Sequence, residues 1–243
     1  MIDGTTEPIL VVIGNPIAGN PAQFALERSL RSLKLDWRVL SFDVTPENVH
    51  AAIGGFAVTG IAGVLVAREL AGQAGSWKTP SASADGRAVD CFFRDEEKEF
   101  SGEDQTQIWL NAQIDKFKAG RSIWLGSDQT DAPIQATAFE HFSAEVHDLA
   151  TLITESSVIV LNVDSAAETE LDREDWPEDD GRTLVIDLGV SPELSANFRN
   201  RGYLVIGEDE FRVGSLQLCI ARWTGQTPSD DVVIDAIEEY LSV

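Results

Sequence analysis

Pro8-Ile9-Leu10-Val11-Val12-Ile13-Gly14 is the first apolar run of the chain, and the elements that succeed it decide the fold. A short β-branched run closed by glycine is the pattern of a buried strand. Beyond the turn Gly14-Asn15-Pro16-Ile17-Ala18, the segment Ala22 to Leu35 places Phe24, Leu26, Leu30 and Leu33 near helical period. Arg38 to Val44 reads as a second strand. Thr45-Pro46-Glu47 then starts a helix that runs to Phe56, with Thr45 as N-cap and Pro46 at the first helical position. Gly60 to Val66 (GIAGVLV) is a third strand. Strand, helix, strand, helix, strand is the order of a parallel sheet with helical crossovers.

The reading extends outward from there. Gly72 to Gly86 turns small and polar and reads as a loop. Ala88 to Phe93 is a short strand, Asp95 to Asp104 a charged, solvated turn or helix end, Thr106 to Phe117 a helix and Arg121 to Leu125 a strand. From Asp131 to Thr154, Ile134, Ala138, Phe142, Val146, Leu149 and Ile153 recur at intervals of three and four, which predicts one long amphipathic helix. Val158 to Val163 is a strand. Glu168 to Asp180 is an acidic loop around Trp176-Pro177. Leu184 to Leu188 (strand), Pro192 to Arg201 (helix) and Tyr203 to Ile206 (strand) come next. Phe211 to Trp223 and Asp230 to Leu241 are closing helices. There is no internal repeat. The predicted fold class is α/β, with two parallel-sheet units spanning 1–130 and 131–243. Open sheets of this kind bind ligands at the carboxyl ends of their strands or in a cleft between domains.

Composition narrows the function classes. The 243 residues are 43% hydrophobic and 24% charged, an ordinary globular profile. No apolar stretch approaches the roughly 20 residues that span a bilayer, and Met1-Ile2-Asp3-Gly4 has no basic-then-apolar leader pattern, so a cytoplasmic location with no membrane partner is expected. The 41 acids outnumber the 18 bases, and a net charge of −23 repels phosphate backbones, which argues against non-specific nucleic-acid binding. Only five of the bases are lysine. Such a surface suits salty surroundings, or else presents an acidic face to a basic partner. Cys91 and Cys219 have no CxxC spacing, so neither a disulfide framework nor a zinc site is supported.

The sequence contains no G-x-G-x-x-G turn, no G-x-x-x-x-G-K-[ST] loop, no G-x-S-x-G and no H-E-x-x-H. His141 and His147, six apart on the predicted helix, fall on opposite faces, and they and His50 read as surface or half-buried histidines. Asp179-Asp180 and Glu208-Asp209 read as solvated charge. Two strand-end turns remain: Gly14-Asn15-Pro16-Ile17-Ala18 and Gly126-Ser127-Asp128-Gln129-Thr130-Asp131. An acid at the second junction either caps the following helix or faces a ligand.

These two turns together resemble the shikimate dehydrogenase family. Val11 to Ala18 (VVIGNPIA) is similar to that family's first strand and GNPIAHSxSP turn. The likeness continues without a gap through Leu33-Lys34-Leu35-Asp36-Trp37, Phe42-Asp43-Val44 and Gly60-Ile61-Ala62-Gly63-Val64. Gly126 to Asp131 resembles its G-x-N-T-D, Leu184 to Pro192 its VxDxxYxP strand, and Arg222 to Pro228 its WTGxxP close. The resemblance implies an N-terminal substrate domain and a C-terminal Rossmann domain that reduce 3-dehydroshikimate with NADPH, a lysine and an aspartate moving the proton.

Carried over position by position, the family's substrate-binding groups are mostly lost. Its two serines fall on Asn20 and Ala22, its N-V-T on Leu65-Val66-Ala67, and its lysine on Ala71. The asparagine of A-x-N-T falls on Asp115 and the late glutamine on Ser215, while the aspartate survives as Asp131 with Thr130 before it. Asp131 is therefore the catalytic candidate, and Asn15, Asn20, Thr130 and Ser215 are the substrate-cleft candidates. Only 26 residues lie between Asp131 and Val158, so the first βαβ portion of the Rossmann unit is expected to be deleted, leaving a truncated domain. No cofactor and no metal is expected. The reading is a protein that has lost NADP-dependent hydride transfer and survives as a small-molecule-binding or regulatory module. Its expected partner is a small hydroxylated carboxylic acid, and a homodimer is compatible with it. Two other readings stay open: an active oxidoreductase of altered substrate or cofactor, and an acidic scaffold docking through Glu168–Asp180.

Overall fold

The computed structural model describes residues 7–77, 88–117, 120–126, 140–143, 149–162, 176–188 and 192–242. It divides into two compact units, Met1–Thr106 with Val213–Val243, and Gln107–Arg212.

The first unit is built on β1 (Ile9–Gly14), β2 (Arg38–Asp43), β3 (Gly63–Val66), β4 (Cys91–Arg94) and β5 (Phe100–Glu103), in the order β2-β1-β3-β4-β5. Strand β1 pairs in parallel with both β2 and β3, as the alternation with helices requires. Its side chains alternate between two cores. Leu10 and Val12 pack with Leu26 and Leu30 of α1 (Ala22–Ser32) and with Val233 and Ile237 of α8 (Asp230–Leu241). Val11 and Ile13 pack with Ile53 of α2 (Val49–Val58), Leu70 of α3 (Arg68–Gly75) and Phe92. A strand buried on both faces reads as a continuous apolar run, and this one does.

Three expectations for this unit are corrected. The sheet is mixed, because β4 pairs antiparallel with β3 and with β5. Residues 95–99 join β4 to β5, a link too short for a parallel crossover, and Asp95 Oδ1 accepts the Glu99 N–H at 2.8 Å to close the turn. The charged run Asp95–Asp104 therefore ends in a strand whose Phe100 and Ser101 are buried. The Gly72–Gly86 loop begins later than expected, since α3 carries Gly72 to Gly75 with Ala71 and Ala74 facing inward. Upstream, Pro46 opens a short 3-10 turn (Pro46–Asn48) before α2, with Thr45 extended, as the Thr-Pro signal suggests.

The second unit holds β6 (Arg121–Gly126), β7 (Glu140–Ser143), β8 (Ser156–Asn162), β9 (Leu184–Asp187) and β10 (Leu204–Ile206), all parallel, in the order β10-β9-β8-β6-β7. Helix α4 (Gln105–Lys116) leads into it, and α5 (Leu149–Thr154) and α6 (Pro192–Asn200) belong to it. Ile123, Leu125, Leu161, Val185 and Phe198 form its core. Trp176 packs edge-on to Phe198, with ring centroids 4.2 Å apart. The Tyr203 hydroxyl donates to the Pro177 carbonyl at 2.9 Å, which holds the end of the acidic loop to this core. Burial, helped by the negative charge of Asp179, pushes the Tyr203 phenol up to about 12.

The long helix expected over Asp131–Thr154 is not formed. Its described part contains strand β7 and the short helix α5. Phe142, one step of the apparent helical stripe, instead lies in register with Leu125 on the edge of the sheet. Four residues are too few for strand alternation to outvote helical spacing, so the pairing partner decided the conformation. The consequence is large. The front of the second sheet, expected to be deleted, is present as the paired strands β6 and β7. The division also differs from the expected one at residue 130. Strand β6 sits between β7 and β8, and α8 returns to pack on α1.

Helix α7 (Glu208–Thr224) carries the chain back into the first unit. There the Trp223 indole Nε1 donates to the Phe92 carbonyl at 2.8 Å and lies across Gly63, where an added Cβ would stand 2.2 Å from that nitrogen. Among the described residues, no helix is long and apolar enough to cross a membrane. Gly63→Ala should displace Trp223 and cost about 2 kcal/mol of stability, read as a lower denaturant midpoint with an unchanged slope. Because exposed like charges repel across this acidic surface, raising KCl from about 0.1 to 2 M should raise Tm, and an unchanged Tm would contradict the charge argument.

Candidate functional site

Strands β1, β2 and β3 end together, and the strand order 2-1-3 reverses the direction of crossover at β1. That reversal opens a crevice at the carboxyl ends, the usual ligand position in open α/β sheets. Asn15, the first residue beyond β1, stands there. Its peptide N–H donates to Glu69 Oε1 at 2.9 Å, and its side-chain Nδ2 donates to Asp43 Oδ1 at 2.7 Å. The Asn15–Pro16 peptide bond is cis. Gly14 allows the close approach: a Cβ there would lie 3.1 Å from Glu69 Oε1 and 3.2 Å from the Ala67 Cβ. One amide residue is thus clamped between two carboxylates, one closing β2 and one in the first turn of α3.

The other sequence candidates have different surroundings. Asn20 Oδ1 accepts the Ala22 N–H at 2.9 Å, so this acceptor is spent on the start of α1. Ser215 is half-buried on α7, beside the core residues Val213 and Leu216. Thr130 and Asp131 lie outside the described residues. The resemblance puts that aspartate at a helix preceding the second unit's first strand, whereas Gly126 ends that first strand, β6, and the helix preceding it is α4. His50 Nε2 contacts the Gln73 carbonyl at 2.8 Å and Ser76 Oγ at 2.7 Å, a tie between α2 and the end of α3.

At the lysine position of the resemblance, Ala71 is 3% exposed within α3, and its carbonyl accepts the Val89 N–H at 2.9 Å. The segments that leave β1, β2 and β3 (14–21, 43–48 and 67–70) contain no lysine, and Arg68 is their sole basic residue.

Sequence reasoning missed three carboxylates. Asp43 and Glu69 were detectable as acids at strand ends flanking a topological switch point. Asp90 is the third. It is buried, and its two oxygens accept the backbone N–H groups of Gln105 at 2.7 Å and Thr106 at 2.9 Å, which caps the start of α4. An anion at a helix N-terminus satisfies otherwise unpaired N–H groups and the helix dipole. Desolvation nevertheless raises the Asp90 carboxyl above the usual range, against those hydrogen bonds.

In the second unit, the order β7-β6-β8 repeats the reversal at β6. The sequence that follows β6 reads Gly126-Ser127-Asp128-Gln129-Thr130-Asp131, with one glycine and two aspartates where a dinucleotide-binding motif carries three glycines. At the end of β9, the Ser195 hydroxyl donates to the buried Asp187 carboxylate at 2.5 Å. Among the described residues, no cluster of three or more metal-ligating side chains occurs.

No protein-family model matches the chain, and neither does any curated protein. Solved structures do match. Shikimate 5-dehydrogenase from Thermus thermophilus, in complex with NADP(H) and shikimate, aligns over 96% of this chain and all of its own, with 16% identity and a TM-score of 0.71. Shikimate dehydrogenase from Mycobacterium tuberculosis aligns over 96% of this chain and 99% of its own, at 17% identity and a TM-score of 0.71. The chain has the shikimate dehydrogenase fold. The same fold carries a different name in 5-ketofructose reductase of Gluconobacter sp. strain CHM43, with 14% identity, a TM-score of 0.64, and coverage of 97% of this chain and 99% of that one. Coverage near full length in each case agrees with the presence of β6 and β7.

The raised carboxyl of Asp90 yields a pH test. Its folded form binds a proton more tightly than its unfolded form, so its contribution to stability falls as pH rises from the unfolded carboxylate value through the folded one. Asp90→Asn should remove that part of the slope, so its stability relative to the parent should rise between pH 4 and 7. Asp90→Ala should cost about 1–3 kcal/mol at pH 7, both read from denaturant midpoints.

Proposed function

We propose that this protein binds a small hydroxylated molecule at the carboxyl ends of β1–β3 and does not itself transfer hydride between NADP and shikimate. The observation that carries the reading is Ala71, a buried methyl group where the resemblance places the proton-moving lysine, together with the lack of lysine in the strand-end segments. An alanine cannot relay a proton, and loss of general acid–base help costs about 10²–10⁴-fold in rate. Leu65 and Ala67 replace an amide and a hydroxyl in the same stretch.

The ligand class follows from charge. A small hydroxylated carboxylic acid is the family-derived expectation. At these strand ends, Asp43 and Glu69 hold the Asn15 amide from two sides. A ligand carboxylate about 4 Å from either acid would meet a repulsion of roughly 1–4 kcal/mol at surface-like dielectric. A neutral polyhydroxylated ligand avoids that cost, and its hydroxyls donate readily to carboxylate oxygens. That a neutral sugar derivative is named as substrate for the 5-ketofructose reductase of similar fold is consistent with this class.

A second reading, an active oxidoreductase of altered substrate, is favoured by one observation: β6 and β7 are present as paired strands of the second parallel sheet. A cofactor site there would need no proton-moving lysine to bind NADP. The two readings separate cleanly. Purified protein mixed with NADP and shikimate should show no absorbance change at about 340 nm above buffer, and millimolar NADP should leave Tm unchanged, whereas a neutral polyol should raise it. Turnover of shikimate would overturn the first reading in favour of the second.

A further inference from the structure

The first unit brings its two cysteines, Cys91 and Cys219, to one helix–sheet interface from distant parts of the sequence. Cys91 opens β4, in register with Leu65 and with Glu103. Along β4, Cys91 and Phe93 share one face of the sheet, while Phe92 points to the other, into the core with Val11 and Ile13. Helix α7 covers the Cys91–Phe93 face. The Arg222 guanidinium lies 3.8 Å from the centre of the Phe93 ring and reaches Glu103 at 2.8 Å, and Trp223 bonds the Phe92 carbonyl. Cys219 stands one turn before these two residues, at positions i−3 and i−4, and therefore on the same helix face. The two thiols therefore face the same helix–sheet interface, close enough for each to perturb the other's ionisation. Both residues are buried, at 0% and 2% exposure.

We infer that Cys91 and Cys219 are a latent oxidation site, a dithiol that peroxide converts to an intramolecular disulfide clamping α7 to the sheet. The chemistry balances. The Cys91 thiolate attacks one oxygen of hydrogen peroxide, the O–O bond breaks, and hydroxide leaves, giving a sulfenic acid. The Cys219 sulfur then displaces that hydroxyl as water, so two thiols and one peroxide yield one disulfide and two waters. Burial pushes the Cys91 thiol up, the charges of Asp90 and Glu103 add to this, and Arg222 offsets it only in part, so the reaction is slow. Burial also sets the selectivity. Bulky thiol reagents are excluded, peroxide is small, and the neighbouring thiol intercepts the sulfenic acid before further oxidation.

The test uses the intact, reduced protein exposed to millimolar hydrogen peroxide. The expected product is a monomer lighter by about 2 Da, with no free thiol in denaturant and a Cys91–Cys219 cross-linked peptide, all reversed by dithiothreitol. Closing so long a loop should also raise Tm by roughly 10 °C. Cys219→Ser should lose the mass change of about 2 Da and accumulate oxygen at Cys91 instead. Two free thiols after oxidation, stable sulfinic acid at either cysteine in the parent protein, or a disulfide between two chains would each overturn the proposal. Peptide mapping of the parent chain decides the matter even if a serine variant folds poorly.

Discussion

Strand β1 has no solvent face, and the rest of the first unit is arranged around that constraint. Leu10 and Val12 need one layer of helices, and Val11 and Ile13 need another, so α1 and α8 cover one side while α2 and α3 cover the other. With both faces closed and both edges paired, polar chemistry can enter only at the end of the strand. There Gly14 gives way to Asn15, the end of β2 supplies Asp43, and the first turn of α3 supplies Glu69. The position of the site is thus a consequence of burial, and its chemistry a consequence of which residues come after the buried runs.

The close approach of α7 to the sheet is the second dependency. Gly63 leaves room for the Trp223 indole, whose single donor finds the Phe92 carbonyl, and the Arg222 guanidinium spans from the Phe93 ring to Glu103. A polar anchor flanked by aromatic contact holds a helix more specifically than apolar area alone. The same docking buries Cys91 and Cys219 against each other. Ala71 on α3 is buried against the sheet, where its small methyl group packs without needing a polar partner.

One residue of the candidate site, Asn15, was legible in the sequence, and the carboxylates around it were not. Asn15 could be found because a buried strand ending in Gly-Asn-Pro must turn at its carboxyl end. Asp43 and Glu69 were equally available, but recognising them required knowing that β1 lies between β2 and β3, which no local pattern states. Asn20 looked like a ligand group, but its side-chain oxygen accepts the Ala22 N–H at the start of α1, a competition that short polar side chains commonly resolve in favour of nearby backbone. Asp90 was hidden in a short strand segment, and its role exists only because the start of α4 comes to rest on it.

The amino-acid sequence by itself determined the α/β class, the central strands and the helices that flank them, because apolar period and turn chemistry are local properties. It also determined the acidic charge. Tertiary structure decided what local period could not. The antiparallel β4–β5 hairpin, the strand at Glu140–Ser143 inside an apparent helical stripe and the membership of β6 in the second unit all depend on pairing between distant segments. Four-residue strands carry too little pattern of their own, so hydrogen-bonded neighbours chose their conformation. The meeting of Cys91 with Cys219 is of the same kind, since only the packing of a helix on a sheet could set those two side chains face to face.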